Sequence, residues 1–431
     1  MALQDKISNK EAKVGIIGLG YVGLPMAVEF ARKGFNVAGI DTNPERVSKI
    51  NKGESYVLDV KNEEIKGLVN KGKLKAFTHF NIISKLDTVS ICVPTPLRKT
   101  KDPDMSYIIS ATEGIKRYIH KEQLIILEST TYPGTTEELI LPMLEESGLK
   151  VGKDFFLAFS PERIDPGNPT YNTRNIPKVV GGVTRKCVAL AKLFYEQIMD
   201  MVVPVSSTRV AEMVKLLENT FRSVNIALVN EIALMCEKLN INVWEVIDAA
   251  KTKPFGFMPF YPGPGIGGHC IPIDPFYLSW KAKMSGFEAR FIELAGQVNS
   301  TMPHFVVDRI TDALNNVKKS IKGSHIHVLG VAYKKNVNDA RESPALDIIN
   351  ILRAKGSTVT YTDPYIPEIN HSEVISKSKP ITDGLLKKAD CVVIITDHSA
   401  FDYKSIVRNS KIIVDTRNAL KGFSDKHITR L

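Results

Sequence analysis

The residue types best suited to chemistry fall in a few short stretches. Gly18-Leu19-Gly20-Tyr21-Val22-Gly23 is a GxGxxG run between an apolar strand pattern at 13–17 and a helical pattern at 25–33. In that setting the first glycine permits a tight turn, the second lets the backbone approach a pyrophosphate, and the third allows close helix–strand packing. The helix N-terminus adds amide donors and the positive end of its dipole. Asp41 closes the next strand, 18 residues past Gly23. A carboxylate there holds a ribose 2′-hydroxyl and repels a 2′-phosphate, so the pattern points to NAD rather than NADP. The bland alternative is a glycine turn that only packs a helix.

The loop Pro262-Gly263-Pro264-Gly265-Ile266-Gly267-Gly268-His269-Cys270-Ile271-Pro272-Ile273-Asp274-Pro275 is the least ordinary part of the chain. Proline and glycine at this density make a rigid loop with open amides, suited to close approach by a ligand. A lone cysteine is ordinarily an inert core residue. Cys270 stands in this loop beside His269 and four residues before Asp274, where a thiolate would serve as a nucleophile. His269 and Cys270 lack further ligands at metal spacing, so no metal is expected. Lys215 and Asn219 are i,i+4 on a helical stretch and share one face, where a lysine is ordinarily solvated. Glu162, in Ser160-Pro161-Glu162-Arg163-Ile164-Asp165, sits in a turn-like segment whose default role is capping or surface. Spacing alone does not bring these segments together.

The elements that must position them follow from hydrophobic period. Short apolar strands are expected at 13–17, 35–40, 88–93 and 124–127, alternating with helices, which implies a parallel doubly wound sheet. Residues 208–238 contain no proline or glycine and repeat Val210, Met213, Val214, Leu217, Phe221, Val224 and Leu228 at helical spacing. That is a long helix whose apolar face is read as core or subunit packing. After the loop, helix continues to about residue 317. A second α/β unit starts near 324, with strands at 325–329, 358–362, 391–396 and 411–415 and a helix at 344–355. The expected fold is α/β: two doubly wound Rossmann-like domains, 1–205 and 321–431, joined by a helical central domain, 206–320. The first turn of the second unit, Gly330-Val331-Ala332-Tyr333-Lys334-Lys335, puts lysines where glycines would be, so no second NAD is assigned to it.

Composition bounds the rest. With 431 residues, 43% of them hydrophobic and 24% charged, the chain reads as a globular protein of two to three domains. No stretch reaches the roughly 18 apolar residues of a membrane helix, and the polar N-terminus does not read as a signal peptide. Five dispersed cysteines without a CxxC pair argue against a disulfide framework and for a reducing, cytoplasmic setting. The net charge of +10 comes from small scattered groups (Lys71, Lys73 and Lys75; Arg98, Lys99 and Lys101; Lys318, Lys319 and Lys322). These fit a solvated surface or an anionic small substrate, and no motif supports nucleic-acid binding.

Taken in order, the fingerprint, Val93-Pro94-Thr95-Pro96, Glu128-Ser129-Thr130, Glu218-Asn219-Thr220-Phe221-Arg222, the cysteine loop and Asp339-Ala340-Arg341-Glu342-Ser343-Pro344 resemble the UDP-glucose/GDP-mannose dehydrogenase family, over about residues 12–425. The resemblance implies an NAD-dependent, four-electron oxidation of a nucleotide sugar at C6, through a thiohemiacetal and a thioester on Cys270. It implies that Lys215 and Asn219 stabilise oxyanions, that Asp274 and Thr130 orient water or take up protons, and that Glu162 serves thioester hydrolysis. The NAD contacts it implies are Gly18, Gly20, Tyr21, Val22, Gly23, Asp41, Arg46, Thr95, Thr130 and Arg341. For the substrate they are Glu162, Arg163, Lys215, Asn219, Arg222, Tyr261, Gly265, Gly267, Tyr333, Lys334 and Arg417, with UDP held by the C-terminal domain. A homodimer through the long helix is also implied.

Two departures refine the sugar. The family's UDP-glucose branch resembles Gly-Gly-Ser-Cys-Phe-Pro-Lys-Asp at the loop and carries a second glutamate where this chain has Pro166. The Gly268-His269-Cys270 form looks like the branch acting on UDP-N-acetylhexosamines, which implies UDP-N-acetyl-D-glucosamine and a product for surface polysaccharide. UDP-ManNAc, UDP-GalNAc and UDP-glucose are the alternatives. A non-catalytic nucleotide-sugar sensor, a reading of another class, would need no nucleophile.

Overall fold

A computed structural model describes residues 1–431 except 58–59, 99–101, 166–167, 169, 172, 269 and 372–373. Lys99, Lys101, Pro166 and His269, singled out above, lie outside the described residues. The chain forms two compact units, Met1–Glu218 with Trp280–Gly286, and Asn219–Ser279 with Phe287–Leu431.

The first unit holds an eight-stranded sheet: β1 (Lys13–Ile17), β2 (Asn36–Ile40), β3 (Leu74–Phe77), β4 (Thr88–Ile91), β5 (Gln123–Leu127), β6 (Phe155–Phe159), β7 (Lys178–Gly182) and β8 (Val202–Pro204). Their order is β3-β2-β1-β4-β5-β6-β7-β8. β5 and β6 are buried along their whole length, which is why they read as continuous apolar runs rather than alternating ones. Ile17 lies opposite both Ile40 and Ile91, so β1, β2 and β4 end level. The strand order reverses between β1 and β4, and the glycine turn leaves the sheet at that switch point, where ligands of open α/β sheets bind.

Two sequence expectations need correction here. β6 and β7 pair antiparallel within an otherwise parallel sheet. Among the described residues of 160–177 there is no crossover helix, and a parallel return needs one. The strand expected at 88–93 stops at Ile91. Cys92 N–H still reaches Ile17 O (2.7 Å), but Pro94 and Pro96 follow and cannot donate to a ladder. The long helix spans Thr208–Leu239, 32 residues. Of its apolar stripe, Leu217, Phe221 and Leu228 are exposed within the single chain, while Ala211, Leu216, Ala227, Val229, Ala233 and Cys236 are among its buried side chains.

The second unit carries β9 (His325–Leu329), β10 (Thr358–Thr362), β11 (Glu368–His371), β12 (Val374–Lys377), β13 (Cys391–Ile394), β14 (Ile413–Asp415) and β15 (Ile428–Arg430). Five form a parallel sheet in the order β10-β9-β13-β14-β15, and β11 and β12 make a separate antiparallel pair. β13 ends two residues before the expected limit because the N–H groups of Ile395 and Thr396 both turn onto Leu329 O (3.0 and 3.2 Å). One face of this sheet packs with the helices Arg290–Asn315 and Pro344–Ala354 around Val306, Ile310, Ile326, Val328, Ile349 and Leu352.

Candidate active site

The glycine turn in the first unit divides its labour among its glycines. Gly18 takes φ +88°, and a Cβ there would stand 2.5 Å from Cys92 O. A Cβ at Gly23 would run into Gly18 O, so this glycine lets the helix Gly23–Arg32 sit close on β1. A Cβ at Gly20 would meet nothing within 4 Å. The chain's own packing therefore requires the first and third glycines and leaves the second facing open space, as a docking pyrophosphate requires. Asp41, buried at the end of β2, is tied into this turn. Its Oδ2 accepts Leu19 N–H (2.9 Å) and its Oδ1 accepts Asn43 N–H (2.9 Å). Arg46 approaches Oδ2 at 3.4 Å and lies 5.7 Å from the Tyr56 ring, whose hydroxyl donates to Leu19 O. These residues fit a dinucleotide with a free 2′-hydroxyl.

At the ends of β5 and β6 the same unit collects a buried acid–base cluster. Lys215 Nζ donates to Thr130 Oγ1, and both Lys215 and Glu162 are buried, against the solvated positions that are their default. Glu162 Oε1 accepts the N–H groups of Arg163 (2.7 Å) and Ile164 (2.9 Å), and Oε2 accepts Lys178 Nζ (3.0 Å). Lys178 also donates to Glu128 Oε2 (2.8 Å), whose other oxygen accepts the Tyr195 hydroxyl (2.7 Å). Burial pushes the Glu162 carboxyl up, but the Lys178 charge and the hydrogen bonds outweigh it and hold the group below the usual carboxylate range. Glu128 shares the same lysine, and there burial wins and raises the carboxyl. Arg163 is committed to a two-point pair with Glu218 (2.6 and 3.2 Å) and to Pro177 O (2.7 Å).

In the second unit the cysteine loop is seated on the C-terminal α/β fold. Gly268, at φ +87°, donates its N–H to Arg341 O (3.1 Å). A Cβ on Gly267 would lie 2.8 Å from Tyr333 Cβ and from Glu342 O, and one on Gly263 would meet the Arg417 guanidinium. Gly263 N–H also donates to Asn230 Oδ1 (3.0 Å), and Asn230 Nδ2 donates to Asn299 (2.9 Å), which pins the loop to two helices. Cys270 is half-buried. Its carbonyl accepts Asp274 N–H (2.8 Å), starting the helix Asp274–Met284. The buried Asp274 carboxylate accepts Asn219 Nδ2 at 2.6 Å, in a helix first turn that favours negative charge. Asp415, at the end of β14, accepts the N–H groups of Arg417, Ala419 and Leu420, fixing the turn from which Arg417 Nε donates to Ile395 O (2.9 Å). Burial lowers the Arg417 guanidinium from its ordinary value.

The structure thus brings Thr130, Glu162 and Lys215 together in one unit. In the other it gathers Asn219, Asp274 and the Cys270 loop with Gly265, Gly267, Tyr333, Arg341 and Arg417. Lys215 and Asn219 stand one turn apart on the continuous helix Thr208–Leu239. Arg341 pairs with Asp339 (2.6 Å), and Tyr261 stacks on Trp244 with its hydroxyl toward Asp248. Arg222 and Tyr21 are exposed, whereas Val22, Thr95 and Lys334 are half-buried. Sequence reasoning missed Lys178, Tyr195, Asn230 and Asn299, and gave Glu128 no role beyond its place in the Glu128-Ser129-Thr130 motif. A buried strand opening on a lysine was the one available signal among them.

The second unit repeats the strand-end arrangement with a different outcome. Asp363, closing β10, accepts the N–H groups of Val331 and Ala332 and His398 Nε2 on Oδ2, and those of Tyr365 and Ile366 on Oδ1. His398 Nδ1 accepts Asn336 N–H (2.9 Å), which leaves Nε2 as the donor to Asp363. Among the described residues no group of three potential ligands could hold a metal ion, and no helix is long and apolar enough to cross a membrane.

Comparison with known proteins gives three matches to one family, described as UDP-glucose/GDP-mannose dehydrogenase. They are its NAD binding domain at residues 12–199, its central domain at 209–301 and its UDP binding domain at 327–422. The UDP-N-acetyl-D-mannosamine dehydrogenase of Pyrococcus horikoshii is 37% identical over 421 residues, covering 95% of this chain and 96% of its own. The UDP-N-acetyl-D-glucosamine 6-dehydrogenase of Pseudomonas aeruginosa is 37% identical over 361 residues, covering 83% and 84%. The solved structure of the Pyrococcus horikoshii UDP-D-ManNAc dehydrogenase superposes with a TM-score of 0.88 at 34% identity, covering 97% of this chain and 98% of that one.

Proposed function

The chain belongs to the UDP-glucose/GDP-mannose dehydrogenase family, as an NAD-dependent UDP-sugar dehydrogenase, and we propose that it oxidises the C6 alcohol of UDP-N-acetyl-D-glucosamine to the carboxylate. Supporting the reading is the half-buried Cys270 on a loop packed against Tyr333 and the Arg417 guanidinium of the UDP binding domain. The Gly268-His269-Cys270 form of that loop favours an N-acetylhexosamine, and an uronate of that kind would supply a surface polysaccharide.

When bound, NAD supplies the acceptor for the hydride that leaves C6, twice in succession. The chain's own groups do the rest. In the first oxidation the alcohol proton passes to the Asp274 carboxylate as the carbonyl forms, and the Lys215 ammonium and the Asn219 amide stabilise the oxygen's developing charge. Cys270 Sγ then adds to the aldehyde carbon, which turns a poor hydride donor into a thiohemiacetal. Loss of the second hydride and the hydroxyl proton leaves a thioester. Water adds to its carbonyl, its proton passes to Glu162, and the Cys270 thiolate departs. Asp274 orients Asn219, and Thr130 holds Lys215.

The exposed Leu217, Phe221, Leu228 and Met235 of the long helix, the last three at seven-residue spacing, support a homodimer. The five dispersed cysteines, none of them in a CxxC pair, fit a reducing cytoplasm. The second reading keeps the chemistry and takes UDP-ManNAc, and the resemblance to the Pyrococcus horikoshii enzyme favours it. The deciding experiment measures NADH release with each UDP-sugar limiting. Two NADH per UDP-GlcNAc, falling to one or none in Cys270→Ala with NAD binding retained, is the expected result. Turnover with UDP-ManNAc alone refutes the sugar, and undiminished turnover of Cys270→Ala refutes covalent catalysis.

A further inference from the structure

The mechanism leaves one group of buried ionisable side chains unused. Glu128, Lys178 and Tyr195 lie behind Glu162, the lysine at the start of β7, Glu128 just past β5, and the tyrosine on the helix Arg185–Glu196. All three are almost fully buried, with Lys178 3% exposed and Glu128 1%. Taking charges out of water is costly and is tolerated only where partners satisfy them, so such a group calls for an explanation.

Geometry supplies one. A carboxylate oxygen ordinarily accepts about two hydrogen bonds. Both positions on Glu162 Oε1 are taken by the N–H groups of Arg163 and Ile164, and one on Oε2 is taken by Lys178. Among the described residues, what remains is a single position on Oε2, aimed by a lysine that Glu128 fixes from behind (2.8 Å) and that lies 5.2 Å from the Tyr195 ring. We propose that Lys178, braced by Glu128 and Tyr195, is the positioning residue that keeps Glu162 ionised and turns its one open acceptor site toward the hydrolytic water. The proposal rests on the role given above to Glu162 in thioester hydrolysis.

The charged and titratable groups facing Glu162 are Lys178 from β7, Glu128 beyond β5, Lys215 from the long helix, Cys92 beyond β4, and Arg163 next to it in the chain; Tyr195 faces it through Glu128. Among these, Lys178 makes the largest opposing contribution to the burial of Glu162. Replacing it with a neutral residue would leave two buried carboxylates close together, and Glu162 would protonate at higher pH. Neutralising Glu128 instead would leave the whole lysine charge to Glu162 and move its titration the other way. A merely structural network would not produce shifts of opposite sign.

The experiment follows a single turnover of the full-length enzyme with excess NAD. The NADH burst reports the oxidations, and acid quench with mass spectrometry reports the acyl group on Cys270 across a pH series. Glu162→Gln should accumulate acyl-enzyme, with hydrolysis slowed roughly 10²-fold or more. Lys178→Gln should keep the burst and move the acid limb of hydrolysis up by about one to two pH units. Lys178→Arg should restore it, and Glu128→Gln, which keeps the Lys178–Glu162 pair, should move the limb down. If Glu162→Gln hydrolyses at the wild-type rate, or no acyl-enzyme forms in any variant, the role of Glu162 fails and the proposal falls with it. If Glu162→Gln accumulates acyl-enzyme while Lys178→Gln and Glu128→Gln leave the limb in place, the positioning role alone is overturned. Glu128→Gln keeps the idea testable even where Lys178→Gln does not fold.

Discussion

The structural tie made by Asp41 and the ribose contact proposed for it can be separated by mutation. Its carboxylate ties down the buried N–H of Leu19 in the glycine turn and the exposed N–H of Asn43, and it faces Arg46. In Asp41→Ala the Leu19 N–H loses its partner in a buried setting, which costs about 1–3 kcal/mol. Water replaces the bond to Asn43, and the half-exposed Arg46 pair contributes about 1 kcal/mol or less. A total of roughly 1–4 kcal/mol, at about 2–4 °C per kcal/mol for a domain this size, lowers the melting temperature by roughly 2–16 °C. The ligand effect is separate. A ribose hydroxyl donating to a carboxylate is worth about 1.5–3 kcal/mol, so NAD should bind roughly 10- to 150-fold more weakly. NADP should bind better, because the repelling charge is gone and Arg46 remains. Asp41→Asn keeps an acceptor for Leu19 and drops the charge, so it should recover most of the stability while still losing the preference for NAD. Thermal unfolding of the apo protein and calorimetric titration with both cofactors measure the two effects. An Asp41→Asn protein that keeps the full preference for NAD would refute the ribose role and leave Asp41 a structural tie.

Two further outcomes follow from particular contacts. Burial pushes the Glu212 carboxyl, which accepts the N–H groups of Gly134 and Thr136 and the Thr136 hydroxyl, from 4.5 to about 7. A raised folded-state value means that the native protein holds the proton longer than the unfolded chain. Stability therefore falls as pH rises from 4.5 to about 7 and is level above, a loss on the order of 3 kcal/mol. The wild-type minus Glu212→Gln difference in urea unfolding should show that slope, and a flat difference would show that the carboxyl does not titrate there. In Gly267→Ala the new methyl meets Tyr333 Cβ and Glu342 O at 2.8 Å, neither of which is a flexible chain end, so the loop must shift. A displacement near 1 Å at the nucleophile should lower kcat about 10²-fold with NAD affinity unchanged, and undiminished turnover would refute the packing argument.

What could be read from the chain alone tracks how local the physics is. The glycine turn and Asp41 were legible because a strand, a turn, a helix and a second strand lie within about 30 residues of one another, and each glycine has its own steric reason. The cysteine loop stood out by composition, but its seating on Tyr333 and Glu342 joins residues more than 60 positions apart and left no periodic trace. Lys178 and Tyr195 look like an ordinary strand start and an ordinary helix residue, and only burial reveals them. The Asn230–Asn299 bond crosses 69 positions. Periodicity found the apolar stripe of the long helix, yet period alone cannot say whether such a stripe meets its own chain's core or something else. The antiparallel step between β6 and β7 goes with the lack of a crossover helix among the described residues of 160–177, which apolar runs do not report.

The two aspartates that close a second strand, Asp41 and Asp363, give the molecule an internal comparison. Asp363 is saturated by five donors, one of them a histidine side chain, and no acceptor is left for a ribose. Asp363 therefore does not repeat the ribose contact proposed for Asp41. With a single NAD site, the proposed removal of two hydrides would impose an order of arrivals and departures. The spent cofactor must leave and a fresh one enter while the half-oxidised sugar stays behind, so the residence time of that sugar has to outlast a cofactor exchange. In the proposed mechanism the covalent bond to Cys270 would secure the sugar only from the thiohemiacetal onward. Until then the contacts to its nucleotide must hold it.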